Sequence, residues 1–133
     1  MLNRRSHLAA LAGSALAFAG AARAADGPEE GLELVMIEEP GCPWCARWNA
    51  EIGPIYPKTD EGRIAPLRRI DIHDITRDTL DVSKRVVFTP TFVLTRDGRE
   101  IDRIEGYPGE ELFWWFLTAL MTQNDLNPGD FPQ

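Results

Sequence analysis

Cys42-Pro43-Trp44-Cys45 is the one constellation in this 133-residue sequence whose residue types and spacing carry obvious chemistry. Thiols three residues apart share one side of a helix, close enough to form and reopen a disulfide with little backbone movement. At a helix start, unpaired N–H groups and the helix dipole stabilise a thiolate at Cys42, while Cys45 lies one turn in and is better shielded. Cys42 is then the attacking nucleophile and Cys45 the resolving thiol that breaks a mixed disulfide. Two other uses of the pair stand beside this one. A structural disulfide closing so short a loop restrains the unfolded chain little. A zinc or copper site needs further ligands, and past residue 24 only His73, Met36 and Met121 could add imidazole or thioether. No metal or other cofactor is expected.

Three further features frame the pair. Trp44, between the thiols, is either a platform for substrate or a ring packed over the helix end. Glu38 and Glu39 read as solvated charges that would oppose the helix dipole if they lie near Cys42. Thr89-Pro90 interrupts an otherwise apolar, β-branched run from Val86 to Thr95, where proline is out of place in a central strand. A cis bond there would end pairing and leave backbone groups free for an extended peptide. His73 has no partner in sequence and reads as a loop histidine.

The pair must be positioned by a strand and a helix. Leu32 to Ile37, broken only by Glu33, has the pattern of a strand covered on both faces. Glu38-Glu39-Pro40-Gly41 is a turn, and a helix follows from Cys42 to about Ile52, with Pro43 in its first turn. Ile64 to Ile72 reads as a second, parallel strand. Asp74 could cap a short helix presenting Ile75, Thr79, Val82 and Val86. After Thr95, Asp97-Gly98 signals a hairpin into Ile101 to Glu105. The last helix, Leu112 to Thr122, lines Leu112, Trp115, Phe116 and Ala119 along one face, and Phe113, Trp114 and Leu117 make it apolar nearly all round. That pattern predicts burial on more than one side, with a partner-docking surface as the alternative.

Composition narrows the function. The chain is 44% apolar and 26% charged, a range that excludes disordered and collagenous classes. Acidic residues outnumber basic ones 21 to 14 and no Lys/Arg run exceeds two, which argues against nucleic-acid binding. Arg4 and Arg5 precede an apolar, Ala-rich run from Leu8 to Ala22, and Ala22-Arg23-Ala24 supplies small residues at a cleavage site. Residues 1–24 are expected to be a cleaved signal peptide, with the twin-arginine and general secretory routes both open. The expected mature part is a domain at 25–123 followed by a flexible tail at 124–133.

The quoted residues resemble the thioredoxin superfamily: Cys42-Pro43-Trp44-Cys45 opening a helix after a first strand, Thr89-Pro90 before Thr91-Phe92-Val93-Leu94, and Asp97-Gly98 leading to Gly106. The resemblance implies an α/β thioredoxin fold, a central mixed sheet of about four strands flanked by helices. It also implies that Pro90 is the cis-proline beside the active site, and that Thr89, Pro90 and Trp44 meet substrate. Where thioredoxins carry Trp before the first cysteine and a buried acid six residues before it, this chain has Gly41 and Met36. The Gly-Gly element of a glutathione site is missing after the last strand, so no glutathione requirement is expected. Trp48, Glu51-Ile52-Gly53-Pro54-Ile55-Tyr56 and Ala65 to Asp71 are similar to the periplasmic thioredoxins encoded with bacterial sulfur-oxidation (Sox) enzymes.

These readings predict a monomeric periplasmic thiol-disulfide oxidoreductase acting on protein disulfides. It would work as a reductant, of a sulfur-carrier protein among others, and be recharged by a membrane electron-donor protein. The rival is a non-catalytic module that uses the same two sulfurs to bind copper(I) or a protein.

Overall fold

The computed structural model describes residues 31–130, together with 13–14. The predicted signal peptide, apart from Gly13 and Ser14, and the last three residues of the tail lie outside the described residues. Four strands form one sheet in the order β2-β1-β3-β4. They are β1 (Leu32–Glu38), β2 (Leu67–Asp71), β3 (Thr91–Arg96) and β4 (Arg99–Glu105). The sheet is mixed, because β2 runs parallel to β1 whereas β3 pairs antiparallel with both β1 and β4.

The β1 strand is central, and its alternation divides the interior. Leu32, Leu34 and Met36 point to one face and Val35 and Ile37 to the other, and all five are buried. Three helices supply the layer on the first face. They are α1 (Pro43–Glu51), the single turn α2 (Asp60–Ile64) and α3 (Glu110–Gln123). Between them Trp48, Tyr56, Phe92 and Phe113 form a fully buried aromatic cluster, with Phe92 and Phe113 centroids 4.9 Å apart.

The parallel strand starts three residues later than the sequence predicts. Thr59 caps α2 by accepting the Gly62 N–H at 3.1 Å, which carries the helical turn through Ile64. Gly62 is required there, since a Cβ would collide with the Tyr56 carbonyl oxygen.

The helix expected from Asp74 to Val86 does not form. Ile72–Asp74 makes one 3₁₀ turn and the chain beyond it is irregular. Side chains compete with the helical ladder: the Thr76 N–H donates to Thr79 Oγ1 at 2.8 Å, and that hydroxyl donates to the Asp74 carbonyl at 3.0 Å. The Asp81 N–H then bonds Gly98 on the distant hairpin, so the segment follows the sheet edge. Its apolar residues still cover the second face, where Leu80 and Val86 pack with Val35, Ile37 and Val93.

Helix α3 is buried on one side only, through Phe113, Leu117, Leu120 and Met121. The face expected to carry Leu112, Trp115, Phe116 and Ala119 points outward, with Trp115 64% exposed and Leu112 and Phe116 also open. The first residues of the predicted flexible tail pack on the domain: Asn124 Nδ2 donates to the Leu120 carbonyl and to Asp102, and Leu126 is 4% exposed. A buried leucine three residues past the helix supplies the apolar contact that its Asn-rich, Pro-containing flanks conceal.

Candidate active site

Gly41, at φ +77°, turns the chain between β1 and α1, a conformation that strains any side-chain-bearing residue. Cys42 then caps α1 with extended backbone, and its Sγ accepts the Cys45 N–H at 3.1 Å. Pro43 stands in the first helical turn, where its missing N–H leaves no bond unmade. The two cysteines are joined in a disulfide, with Cα atoms 5.3 Å apart. Cys42 is half-buried, whereas Cys45 is 3% exposed and belongs to the core cluster around Trp48. Of the two sulfurs, Cys42 is the accessible one.

Trp44 keeps 53% of its surface open, with the Arg47 guanidinium carbon 5.7 Å from its ring centroid. Across the mouth lies the loop before β3. The Thr89-Pro90 peptide is cis, Pro90 is buried and Thr89 half-buried. The Thr89 hydroxyl donates to Glu39 at 2.8 Å, and the Glu39 carbonyl accepts the Cys42 N–H at 3.3 Å. Those two bonds bring Thr89-Pro90 against the turn that carries Cys42. The exposed Val87 and Phe88 adjoin it.

Neither acid before the motif is a free solvated charge. Glu39 holds Thr89, and Glu38 accepts from Arg69 at 3.2 Å and from Asn49 at 3.4 Å. Arg69 also donates to Asn49 Oδ1 at 2.6 Å and reaches the sulfur of fully buried Met36 at 3.3 Å. A polar crevice of about 390 Å³ opens along Glu38, Glu39, Pro40 and Arg69. His73, expected to be partnerless, contacts Asp71 at 2.7 Å from an exposed position. Among the described residues no group of three or more His, Cys, Asp or Glu side chains could hold a metal ion. A larger groove, about 960 Å³, is lined at the other end of β1 by Gly31, Arg68, Asp74 and Asp97, none of them a site residue.

One polar chain beside the mouth escapes the sequence reading. Tyr107 Oη donates to Glu51 Oε2 and Arg47 Nε donates to Glu51 Oε1, each at 2.6 Å. The bonds from Tyr107 and then Arg47 hold the Glu51 carboxyl below the usual carboxylate range. Burial, and then the bond to Glu51, pushes the Tyr107 hydroxyl up. The four-residue spacing of Arg47 and Glu51 is a readable signal, but Tyr107 is 56 residues from Glu51.

Residues 18–120 match the family model of the thioredoxin-like domain. This chain belongs to the thioredoxin-like family. Its structure is similar to that of the periplasmic thioredoxin SoxS from Paracoccus pantotrophus in its reduced form, at 52% sequence identity and a TM-score of 0.67. That match covers 70% of this chain and 98% of the other. The fold is also shared with Fasciola hepatica thioredoxin, at 22% identity, TM-score 0.50 and coverage of 68% and 82% of the two chains. Chlamydomonas reinhardtii thioredoxin f2 matches at 14% identity and TM-score 0.51, over 82% and 88%. No curated protein matches the chain. The thioredoxin-like domain and its C-x-x-C pair make the protein a thiol-disulfide oxidoreductase.

Proposed function

We propose that this thioredoxin-like protein is exported to the periplasm, loses residues 1–24, and reduces disulfides of other exported proteins. The observation that carries the reading is the inequality of the two sulfurs: Cys42 half-exposed at the start of α1, Cys45 shielded one turn below. In the reduced protein the Cys42 thiolate attacks one sulfur of a partner disulfide. A Cys42–partner bond forms, the partner's S–S bond breaks, and the departing partner thiolate takes a proton from solvent. Cys45, once deprotonated, attacks Cys42, releases the second partner thiol and closes the Cys42–Cys45 disulfide. Two electrons pass to the partner, and a membrane dithiol donor returns them. Trp44, Thr89 and Pro90 line the face on which the partner segment lies.

Likeness to a periplasmic thioredoxin SoxS supports the compartment, and the resemblance of Trp48, Glu51 to Tyr56 and Ala65 to Asp71 to thioredoxins encoded with Sox enzymes supports a sulfur-carrier protein as a partner. The test is trapping. Cys45→Ser keeps the nucleophile and removes the escape, so it accumulates mixed disulfides that reductant releases, in periplasmic extract and with the purified carrier protein. Cys42→Ser traps far fewer. Absence of reducible adducts with Cys45→Ser, together with tight copper(I) retention by the wild type, would return the pair to a binding role. In the reduced wild type Cys42 alkylates faster than Cys45, and equal rates would undo the assignment of nucleophile.

A further inference from the structure

The exposed side of α1 carries Trp44, Arg47 and Glu51 in a row, spaced by three and four residues. An isolated surface pair such as Arg47 and Glu51 contributes little, because two long side chains must be held in one geometry against solvent. This pair is not isolated. Tyr107, 6% exposed and packed edge-on against Phe113, donates to the second Glu51 oxygen. With one carboxylate oxygen fixed by a buried phenol, the other presents a stationary acceptor to Arg47 Nε. The guanidinium is thereby held with its carbon 5.7 Å from the Trp44 centroid, within cation–π range.

The same chain of contacts reaches the other wall of the mouth. Gly106, the residue before Tyr107, donates its N–H to the Pro90 carbonyl at 2.8 Å. A continuous run therefore links the Pro90 loop, Tyr107, Glu51, Arg47 and Trp44. Its members come from the loop before β3, the loop after β4 and α1.

We propose that Glu51 is a positioning residue for the partner-docking face: braced by Tyr107, it holds Arg47 against Trp44 and sets the indole at a fixed angle opposite the Pro90 loop. The inference rests on the reading of Trp44 as a surface that meets the partner. It adds the device that fixes that surface. The gain is preorganisation, since an indole already held in place loses less freedom when a partner docks. The expected signature is weaker docking with unchanged chemistry.

The test uses the full mature protein, insulin as the protein disulfide, and a small aromatic disulfide that needs no docking face. Glu51→Gln keeps the shape and removes the charge that orders Arg47. KM for insulin should rise about two- to fivefold, the factor corresponding to an exposed cation–π contact, while kcat and the small-disulfide rate stay within about twofold. Tyr107→Phe should move KM in the same direction. In a Trp115→Phe background, which removes the other strongly exposed indole, Glu51→Gln should also increase quenching of Trp44 by acrylamide. In a Trp44→Ala background, Glu51→Gln should change KM no further. An equal KM rise in that background, or unaltered Trp44 quenching in the Trp115→Phe background, overturns the proposal. If Trp44→Ala leaves KM for insulin unchanged while Glu51→Gln still alters quenching, the docking role of Trp44 fails and the positioning geometry stands.

Discussion

The sheet is closed on its two faces by different kinds of interaction. On the helical face, Trp48 packs 5.2 Å from Phe92 and 5.8 Å from Phe113, centroid to centroid, and Leu34, Met36, Leu94 and Leu117 fill the space between. On the other face the buried set is Val35, Ile37, Val93, Leu80 and Val86. The irregular segment from Ile72 to Phe88 covers it and is fastened at its edges by polar bonds. Arg103 donates to Glu100 at 2.6 Å through both Nε and Nη2, and Nη2 also reaches the Lys84 carbonyl at 2.7 Å. The Ser83 N–H donates to Glu100 at 3.0 Å, and Arg68 reaches the Thr79 carbonyl at 3.1 Å.

The difference bears on the candidate site because each of its two segments is anchored to one face. Cys42, Cys45 and Trp44 belong to α1, which rests on the aromatic cluster. Thr89-Pro90 ends the segment held by polar staples, and is joined to the first segment through Glu39 and through Gly106. One segment thus depends on buried volume, and the other on hydrogen bonds, some of them at the surface.

The largest effect is expected on the helical face. Phe113→Ala should cost roughly 3–5 kcal/mol, because its ring contacts Trp48, Phe92, Tyr107 and Trp114 and a close-packed cluster cannot collapse into the gap. Denaturant titration followed by tryptophan emission and by far-ultraviolet dichroism should give one coincident, shifted transition. Separate transitions would mean that the two faces unfold independently.

On the stapled face, Arg103→Met should cost about 3 kcal/mol, because it strands a Glu100 carboxylate whose side chain is only 4% exposed. Hydrogen exchange should accelerate at residues 81–86 well before it changes in β1. A uniform acceleration would show that Arg103 supports the whole core rather than the staple. Leu80→Ala should cost less, about 2 kcal/mol, since an irregular covering segment can settle into the vacated space. A larger loss than for Phe113→Ala would reverse the comparison of the two faces.

The same contrast explains what could be read in the sequence. The cysteine pair, β1 and the hairpin at Asp97-Gly98 were legible because each is encoded within a few neighbouring residues. Thr89-Pro90 was legible because proline is incompatible with a central strand. The stretch after Asp74 was not, because its helix-like spacing is overruled by the Thr76 and Thr79 hydroxyls and by bonds to Gly98 and Glu100. Helix α3 is apolar nearly all round, so periodicity could not say that Phe113 faces inward and Trp115 outward. At the site, the Cys42–Cys45 asymmetry follows from helix position alone, but the Glu39–Thr89 and Glu51–Tyr107 bonds join residues 50 and 56 apart.

The smallest effect is expected from acid. Burial raises the Glu100 carboxyl, but hydrogen bonds from Arg103 and the Ser83 N–H outweigh it, and the net result lies below the usual carboxylate range. A carboxyl lowered in the folded protein binds its proton more readily when unfolded, so its contribution is complete above the unfolded value of about 4.3. It is lost as pH falls through the lower, folded value. Glu51, lowered by Tyr107 and Arg47, has the same sign and lies at the C-terminal end of α1, on the helical face. Overall stability should therefore decline below about pH 4.3, and exchange corrected for its intrinsic pH dependence should rise first at residues 81–86. Arg103→Met removes the guanidinium that lowers Glu100, so in that variant the acid-dependent rise at 81–86 should flatten while the decline linked to Glu51 persists. Glu51→Gln should do the converse. If acid opens β1 and residues 81–86 together in the wild type, the polar staples are not the weaker closure, and the division between the two faces fails at its most sensitive point.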